Sequence, residues 1–273
     1  MRRLTNAEFD QAQELARMSG IPLDMCPTCG SRPEKVEMEM ADGVSSAEGR
    51  IYGTYRHMGE DHPCDCEMQM QLRKLYLLAG IGDQYMRLDW NDYRNEEVKT
   101  SVALYLDKWS AMRRNGMGIE FGGEALGVGK TFAATYVAKE LIKKGVNVMF
   151  IPFLEFIKTV KLEDDEQKRK YDRMRKVTVL VVDELRPPIS DAQAWFFGEG
   201  FEELVRHRTN FNLPIITTTN MTEDELRGHY PRIYSLMAPK QIRLNLSGQD
   251  ARMSWIADQN IELVLNDEVR PIT

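Results

Sequence analysis

Cysteine is scarce and confined in this sequence: Cys26, Cys29, Cys64 and Cys66 are its only four, all within the first quarter of 273 residues. No disulfide framework can therefore hold the remainder of the chain. Long apolar runs are also missing. Nothing approaches the roughly 20 residues needed to span a bilayer, and the opening MRRLTNAEFD has no hydrophobic stretch of the kind a secretory signal needs. A cytoplasmic protein with no membrane attachment is the expectation. Positive charge is not in excess either: 36 Lys and Arg stand against 42 Asp and Glu, a net charge of −6. That balance argues against general polyanion binding and leaves room for a local basic patch. Internal repeats and low-complexity segments are absent. What remains is 42% hydrophobic and 29% charged, an ordinary globular composition, long enough for one medium domain and a small one.

The cysteines form a C-x-x-C and a C-x-C pair separated by 34 residues. Two clustered pairs in a reducing compartment fit a tetrahedral zinc site better than disulfides. In CPTCG the glycine lets the backbone turn so that amides face the thiolates. EKVEMEM and GRIYGTYRHM read as two strands joined by the turn-like ADGVSSAE, together a zinc-ribbon hairpin. His57 and His62 lie close enough to compete as ligands, with His62 the main rival. A helix over TNAEFDQAQELARMSG, capped by Thr5 or Asn6 and ended by Gly20, precedes the hairpin, and EMQMQLRKLYLLAG makes a second. The apolar stripe of the first helix serves as core or as an interface, since so small a unit buries little. Residues 1–80 thus form a zinc-binding unit. In the connector that follows, Tyr85, Leu88, Trp90 and Tyr93 are expected to pack against the next domain.

Residues 81–273 alternate helix and strand, which predicts an α/β fold with a parallel sheet covered on both faces. Within it FGGEALGVGKT ends as a phosphate-binding loop should. MGIEF before it reads as a strand and KTFAATYVAKELIKKG after it as a helix, the context such a loop requires. Gly127 and Gly129, flanking Val128, let the backbone approach an anion. Lys130 would reach the β and γ phosphates of ATP, Thr131 would ligate Mg²⁺, and Phe132 completes the contacting stretch. One departure stands out: Glu124 occupies the position where the usual spacing has its first glycine, with Gly123 one step earlier. In VTVLVVDEL an apolar strand ends in Asp183 and Glu184. At the C-terminal edge of a parallel sheet these would hold Mg²⁺ through water and act as general base toward the attacking water, respectively. PIITTTN places Asn220 to orient that water, or alternatively only to form a turn, Thr222 being the better helix cap.

In the order of its parts, from Cys26 to about Trp255, the chain resembles the DnaC-type helicase loaders, a branch of the AAA+ ATPases close to the IstB-type transposition ATPases. The stretches that carry this are CPTCG, CDC, AGIGDQYM, GVGKTFAATYVAKEL, VLVVDEL, LPIITTTN, PRIYSLM and IRLNLSGQDAR. The resemblance implies an ATP-hydrolysing AAA+ domain with a vestigial lid, behind a zinc-binding unit that grips a replicative DNA helicase. It implies loading of that helicase onto single-stranded DNA by an ATP-switched homo-oligomer. It also implies that Arg252 senses nucleotide within its own subunit, and that an arginine from a neighbour completes the site. Arg232 is one candidate for that arginine, with Arg206 and Arg208 as rivals, because Leu236 stands where the family pattern has a second arginine. The basic helix QKRKYDRMRK reads as a solvated face or as a surface for single-stranded DNA. Two other readings stay open: a transposition regulator of the IstB type, and a zinc-dependent adaptor whose loop is only structural.

Overall fold

The structure, a computed structural model, describes residues 4–30, 32, 34–35, 55–56, 64–160, 164–188, 191–248 and 269–273, with backbone alone for 34–35, 55–56 and 191–198. The N-terminal unit opens with helix α1 (Asn6–Met18), set by a reciprocal cap in which Thr5 accepts from the amide of Glu8 and Glu8 returns the bond. Strands β1 (Glu34–Lys35) and β2 (Tyr55–Arg56) pair antiparallel. These are the described parts of the expected hairpin; the rest lies outside the described residues. Helix α2 (Cys66–Ala79) is capped by Asp65 and stops at Gly80 in the left-handed region. Gly80 is required there, because a Cβ would stand 2.4 Å from the carbonyl oxygen of Phe150.

A short helix α3 (Asp83–Met86) and a 3₁₀ turn (Trp90–Asp92) form the connector. Helices α4 (Glu96–Asp107) and α5 (Trp109–Asn115) follow and lead into β3 (Gly118–Gly122). Then come α6 (Lys130–Lys143), β4 (Val148–Pro152), α7 (Phe153–Thr159), α8 (Asp165–Lys176), β5 (Val179–Leu185), α9 (Asp191–Asn210) and β6 (Ile215–Thr219). Helices α10 (Glu223–His229) and α11 (Pro231–Met237) precede a last strand, β7 (Gln241–Asn245).

The five strands form a parallel sheet in the order β4-β5-β6-β3-β7. Alternation along the strands feeds two cores. Ile119, Phe121, Phe150, Val179, Val181 and Ile216 meet α6, α4 and α2 on one face. Met149, Ile151, Leu180, Val182 and Ile215 meet α7, α8, α9 and α11 on the other. Both faces being covered, β5 is apolar and buried along nearly its whole length. The sequence reading assigned no strand to β7, a half-exposed edge.

The connector aromatics pack as expected. Tyr93 and Trp90 stack at 4.5 Å, and Trp90 stacks on Tyr136 of α6 at 4.0 Å. Helix α2, assigned by sequence to the N-terminal unit, places Leu72, Leu75, Tyr76 and Ala79 in the core of the sheet domain. A buried lysine binds these parts together: Lys139 of α6 donates to the carbonyls of Met86 and Leu88, both at 2.9 Å, and to Thr273 Oγ1 at 2.7 Å. Burial lowers its pKa to about 7. Among the described residues, no helix is long and apolar enough to cross a membrane.

Candidate nucleotide site and cysteine cluster

The loop between β3 and α6 turns on three glycines with positive φ: Gly123 (119°), Gly127 (68°) and Gly129 (90°). Gly123 settles the question raised by Glu124. The left-handed residue lies one position early, and a Cβ there would come within 2.3 Å of the Leu246 carbonyl oxygen. Glu124 itself is exposed and is not among the residues with positive φ, so a side chain is tolerated. Helix α6 then begins directly at Lys130 from Gly129, which gives the free amides of its first turn to whatever the loop encloses. Lys130 Nζ donates to the carbonyls of Gly123 (2.7 Å) and Ala125 (2.6 Å) across the loop. To meet a phosphate, the ammonium must exchange these partners.

Because β6 lies between β3 and β5, the start of α6 faces the end of β5 across one strand. Thr131 Oγ1 donates to Asp183 Oδ1 at 2.9 Å, and Thr218 Oγ1 of β6 donates to the same oxygen at 2.6 Å. Asp183 is buried, and desolvation holds its carboxyl above the usual range, against the pull of the two hydroxyls. A hydroxyl and a carboxylate this close are hard oxygen donors of the kind Mg²⁺ takes. The sequence reading brought Thr131 and Asp183 together but missed Thr218. Its hydroxyl also accepts from the amide of Glu184 at 2.8 Å.

That amide is displaced because pairing between β5 and β6 shifts register between Val182 and Leu185, and Glu184 adopts a φ of 57°. A non-glycine residue held in the left-handed region at a sheet edge re-aims a side chain out of the ladder. The Glu184 carboxylate accepts from Arg186 and is about half exposed, so it must release that partner to act on a water. Asn220 follows β6 directly and is exposed at the same edge.

The arginines divide. Arg208 is fully buried and donates to the carbonyls of Met174, Val177, Thr178 and Pro214. That removes it as a residue able to reach a neighbour, contrary to the sequence reading. Burial, with Arg113 nearby, drops its pKa to about 9. Arg232, at the start of α11, is 82% exposed and 3.6 Å from Glu202. Arg206 is exposed and binds the same Glu202 at 2.7 Å. Both can reach outward. Arg252 lies outside the described residues, as do His57 and His62.

The four cysteine sulfurs converge from the CPTCG turn and the start of α2, all within 4.8 Å of one another. Cys26 and Cys64 are 3.7 Å apart, Cys29 and Cys66 3.4 Å. Zinc–thiolate bonds of about 2.3 Å in a tetrahedron put neighbouring sulfurs about 3.8 Å apart, so the cluster fits that ion. Burial and the adjacent thiols push the Cys64 thiol up, and a divalent cation reverses this by stabilising the thiolate.

The model of the family of IstB-like ATP binding proteins matches residues 89–226, the segment from the connector to α10. The chain belongs to this family. The replicative helicase loader DnaI of Bacillus subtilis is 25% identical over 167 residues, 60% of this chain and 52% of that protein. The uncharacterized protein YqaM of the same organism is 28% identical over 177 residues, 60% of this chain and 55% of that one. The chain thus spans about half the length of these curated relatives. The crystal structure of DnaI superposes with a TM-score of 0.54 at 22% identity, covering 61% of this chain and 95% of the other. That of the DnaC helicase loader gives 0.51 at 20%, covering 61% and 100%. At such identities the likeness shows the fold: this IstB-like ATP-binding chain shares the α/β fold of those structures, with a five-stranded parallel sheet, preceded by a four-cysteine cluster.

Proposed function

We propose that this IstB-like protein is an ATP-hydrolysing loader of a replicative DNA helicase, acting as an ATP-switched homo-oligomer on single-stranded DNA. The observation that carries the nucleotide reading is the convergence of Thr131 and Thr218 on Asp183, beside the re-aimed Glu184, at the mouth of the glycine loop. Loop amides and Lys130 bind the triphosphate of ATP. Thr131 and Asp183 would hold Mg²⁺, which when bound neutralises charge on the β and γ phosphates. Glu184 takes the proton of the attacking water, Asn220 orients that water, and an arginine from a neighbouring subunit, Arg232 or Arg206, stabilises the charge that develops.

The helicase and DNA parts of this reading are supported by the similarity to DnaI, and by a cysteine cluster that would hold zinc in a small N-terminal unit. Residues 1–80 serve in this reading as the helicase-gripping zinc unit and 81–273 as the ATPase. The cytoplasm is where such a partner is met. A transposition regulator within the same family would have the same ATPase and capture a transposase instead; a zinc-dependent adaptor would show no turnover.

ATP binding and turnover by the parent protein, a Lys130→Ala variant and a Glu184→Gln variant test the site. Lys130→Ala is expected to lose ATP binding. Glu184→Gln is expected to bind ATP and hydrolyse it at least about 100-fold more slowly. Unchanged affinity in the first overturns the site assignment, and normal turnover in the second reassigns the base. Capture of helicase rather than transposase separates loader from regulator.

A further inference from the structure

One side chain beside the loop has no role in the scheme above. Tyr93, which follows the 3₁₀ turn of the connector, is 4% exposed. The Cε2 edge of its ring abuts the loop: a Cβ on Gly129 would sit 2.8 Å from Tyr93 Cε2. Phe132 closes on the ring edge-to-face at 5.2 Å, and Trp90 covers another side at 4.5 Å. The hydroxyl is buried in these surroundings and has no hydrogen-bond partner among the described residues. Burial holds its pKa well above the ordinary tyrosine range, so the group is a neutral hydroxyl throughout the physiological range. A buried hydroxyl without a partner destabilises the fold, and phenylalanine would fill the same space without that cost. The ring explains an aromatic residue at this position; it does not explain a tyrosine.

The loop above the ring is the part of the site that must rearrange. Lys130 is bonded to the carbonyls of Gly123 and Ala125, and when its ammonium turns to a phosphate those two acceptors lose their donor. Gly129, whose left-handed φ starts α6, rests on the tyrosine ring while this happens. We propose that Tyr93 is a positioning residue of the nucleotide site. Its ring is the floor that holds Gly129 in place, and its hydroxyl acquires its acceptor when the loop closes on a polyphosphate. The inference rests on the nucleotide reading above and adds a residue to it from the connector, outside both nucleotide motifs.

Two variants of the full chain, Tyr93→Phe and Tyr93→Ala, test it by melting temperature without nucleotide, MgATP affinity by equilibrium dialysis, and steady-state hydrolysis. Tyr93→Phe is expected to melt at or above the parent yet bind MgATP about five- to tenfold more weakly, the size of one neutral hydrogen bond. KM rises accordingly while kcat stays near the parent value. Tyr93→Ala, which removes the floor, is expected to melt lower and lose more affinity than the phenylalanine variant. A purely structural tyrosine cannot give higher stability together with weaker binding. Tyr93→Phe with parental affinity overturns the role of the hydroxyl while leaving the nucleotide site standing. Tyr93→Phe melting below the parent shows a hydroxyl already paired without nucleotide, and also overturns it. A parent that binds no ATP overturns the nucleotide reading and this inference together.

Discussion

Asp183 is held between opposed demands. Folding buries it and raises its pKa, while the two threonine hydroxyls favour its charged form and only partly restore it. With a folded pKa above the unfolded one, its contribution to stability is present at low pH and lost as pH rises through the folded value. Near neutrality the charged carboxylate is therefore a net cost to the fold, one that Mg²⁺ would offset if bound there as proposed. Asp183→Asn is expected to melt at or above the parent in the absence of nucleotide, and to hydrolyse ATP on the order of 100-fold more slowly. Thermal denaturation paired with a turnover assay checks both signs. The same shift implies that MgATP binding weakens on acidification from a higher pH than an ordinary aspartate would give, which binding curves against pH would reveal. Neither effect was legible in VTVLVVDEL alone. The motif located the acid, but the hydroxyls flanking it come from β6 and α6, and Thr218 reads in ITTTN only as a good strand former.

Strand and helix assignments were legible where burial was two-sided. β4 and β5 are largely apolar runs bounded by turns, β6 is a buried β-branched run of Ile and Thr, and α6 announces itself by the loop before it and Gly145 after it. β7 was not, because Gln241, Arg243 and Asn245 interrupt it; as an edge strand it satisfies only one side of its backbone and tolerates polar neighbours. Arg208 was misread for a related reason. VRHR at a helix end suggests solvent-facing charge, yet the guanidinium turns inward to carbonyls at the end of α8 and the entrances to β5 and β6, and joins three elements. Arg208→Met should therefore cost roughly 3 kcal/mol of stability. Arg232→Ala should cost less than about 0.5 kcal/mol and abolish hydrolysis only under conditions where the protein assembles. Denaturant melts combined with turnover measured across protein concentration separate the two. A large stability loss at Arg232, or none at Arg208, would reverse their roles.

The molecule as a whole is joined more tightly than the division at residue 80 suggests, and this changes what metal loss should do. Among the described residues, the satellite core under α1 has Ala12, Ala16, Leu23 and Leu78 buried, with Leu4 and Leu77 packed against them, too little apolar surface to hold a unit on its own. Helix α2 is different. Tyr76 and its neighbours are part of the sheet domain's core, Tyr76 Oη donates to the Thr273 carbonyl at 2.9 Å, and Gln69 makes two bonds to Ile272 at 2.9 and 2.6 Å. Arg87 donates to Pro27, next to Cys26, at 2.7 Å and also to Arg270, which pairs with Asp92 beside the tyrosine floor of the loop. If the four thiolates hold zinc, the metal supplies much of the folding energy of what precedes α2, whereas α2 beyond its first residue, Cys66, is anchored by the core of the sheet domain. Replacing both Cys26 and Cys29 with serine should accordingly free α1 and the β1–β2 pair while α2 stays docked. Metal analysis is expected to fall from about one zinc per chain to nearly none. Limited proteolysis should then cut ahead of residue 66 and spare the segment after it, MgATP affinity should stay within about twofold of the parent, and capture of helicase should be lost. Cleavage running through α2, or a collapse of ATP binding, would show that the cysteine unit and the ATPase fold as one; a parent without metal would remove the zinc assignment.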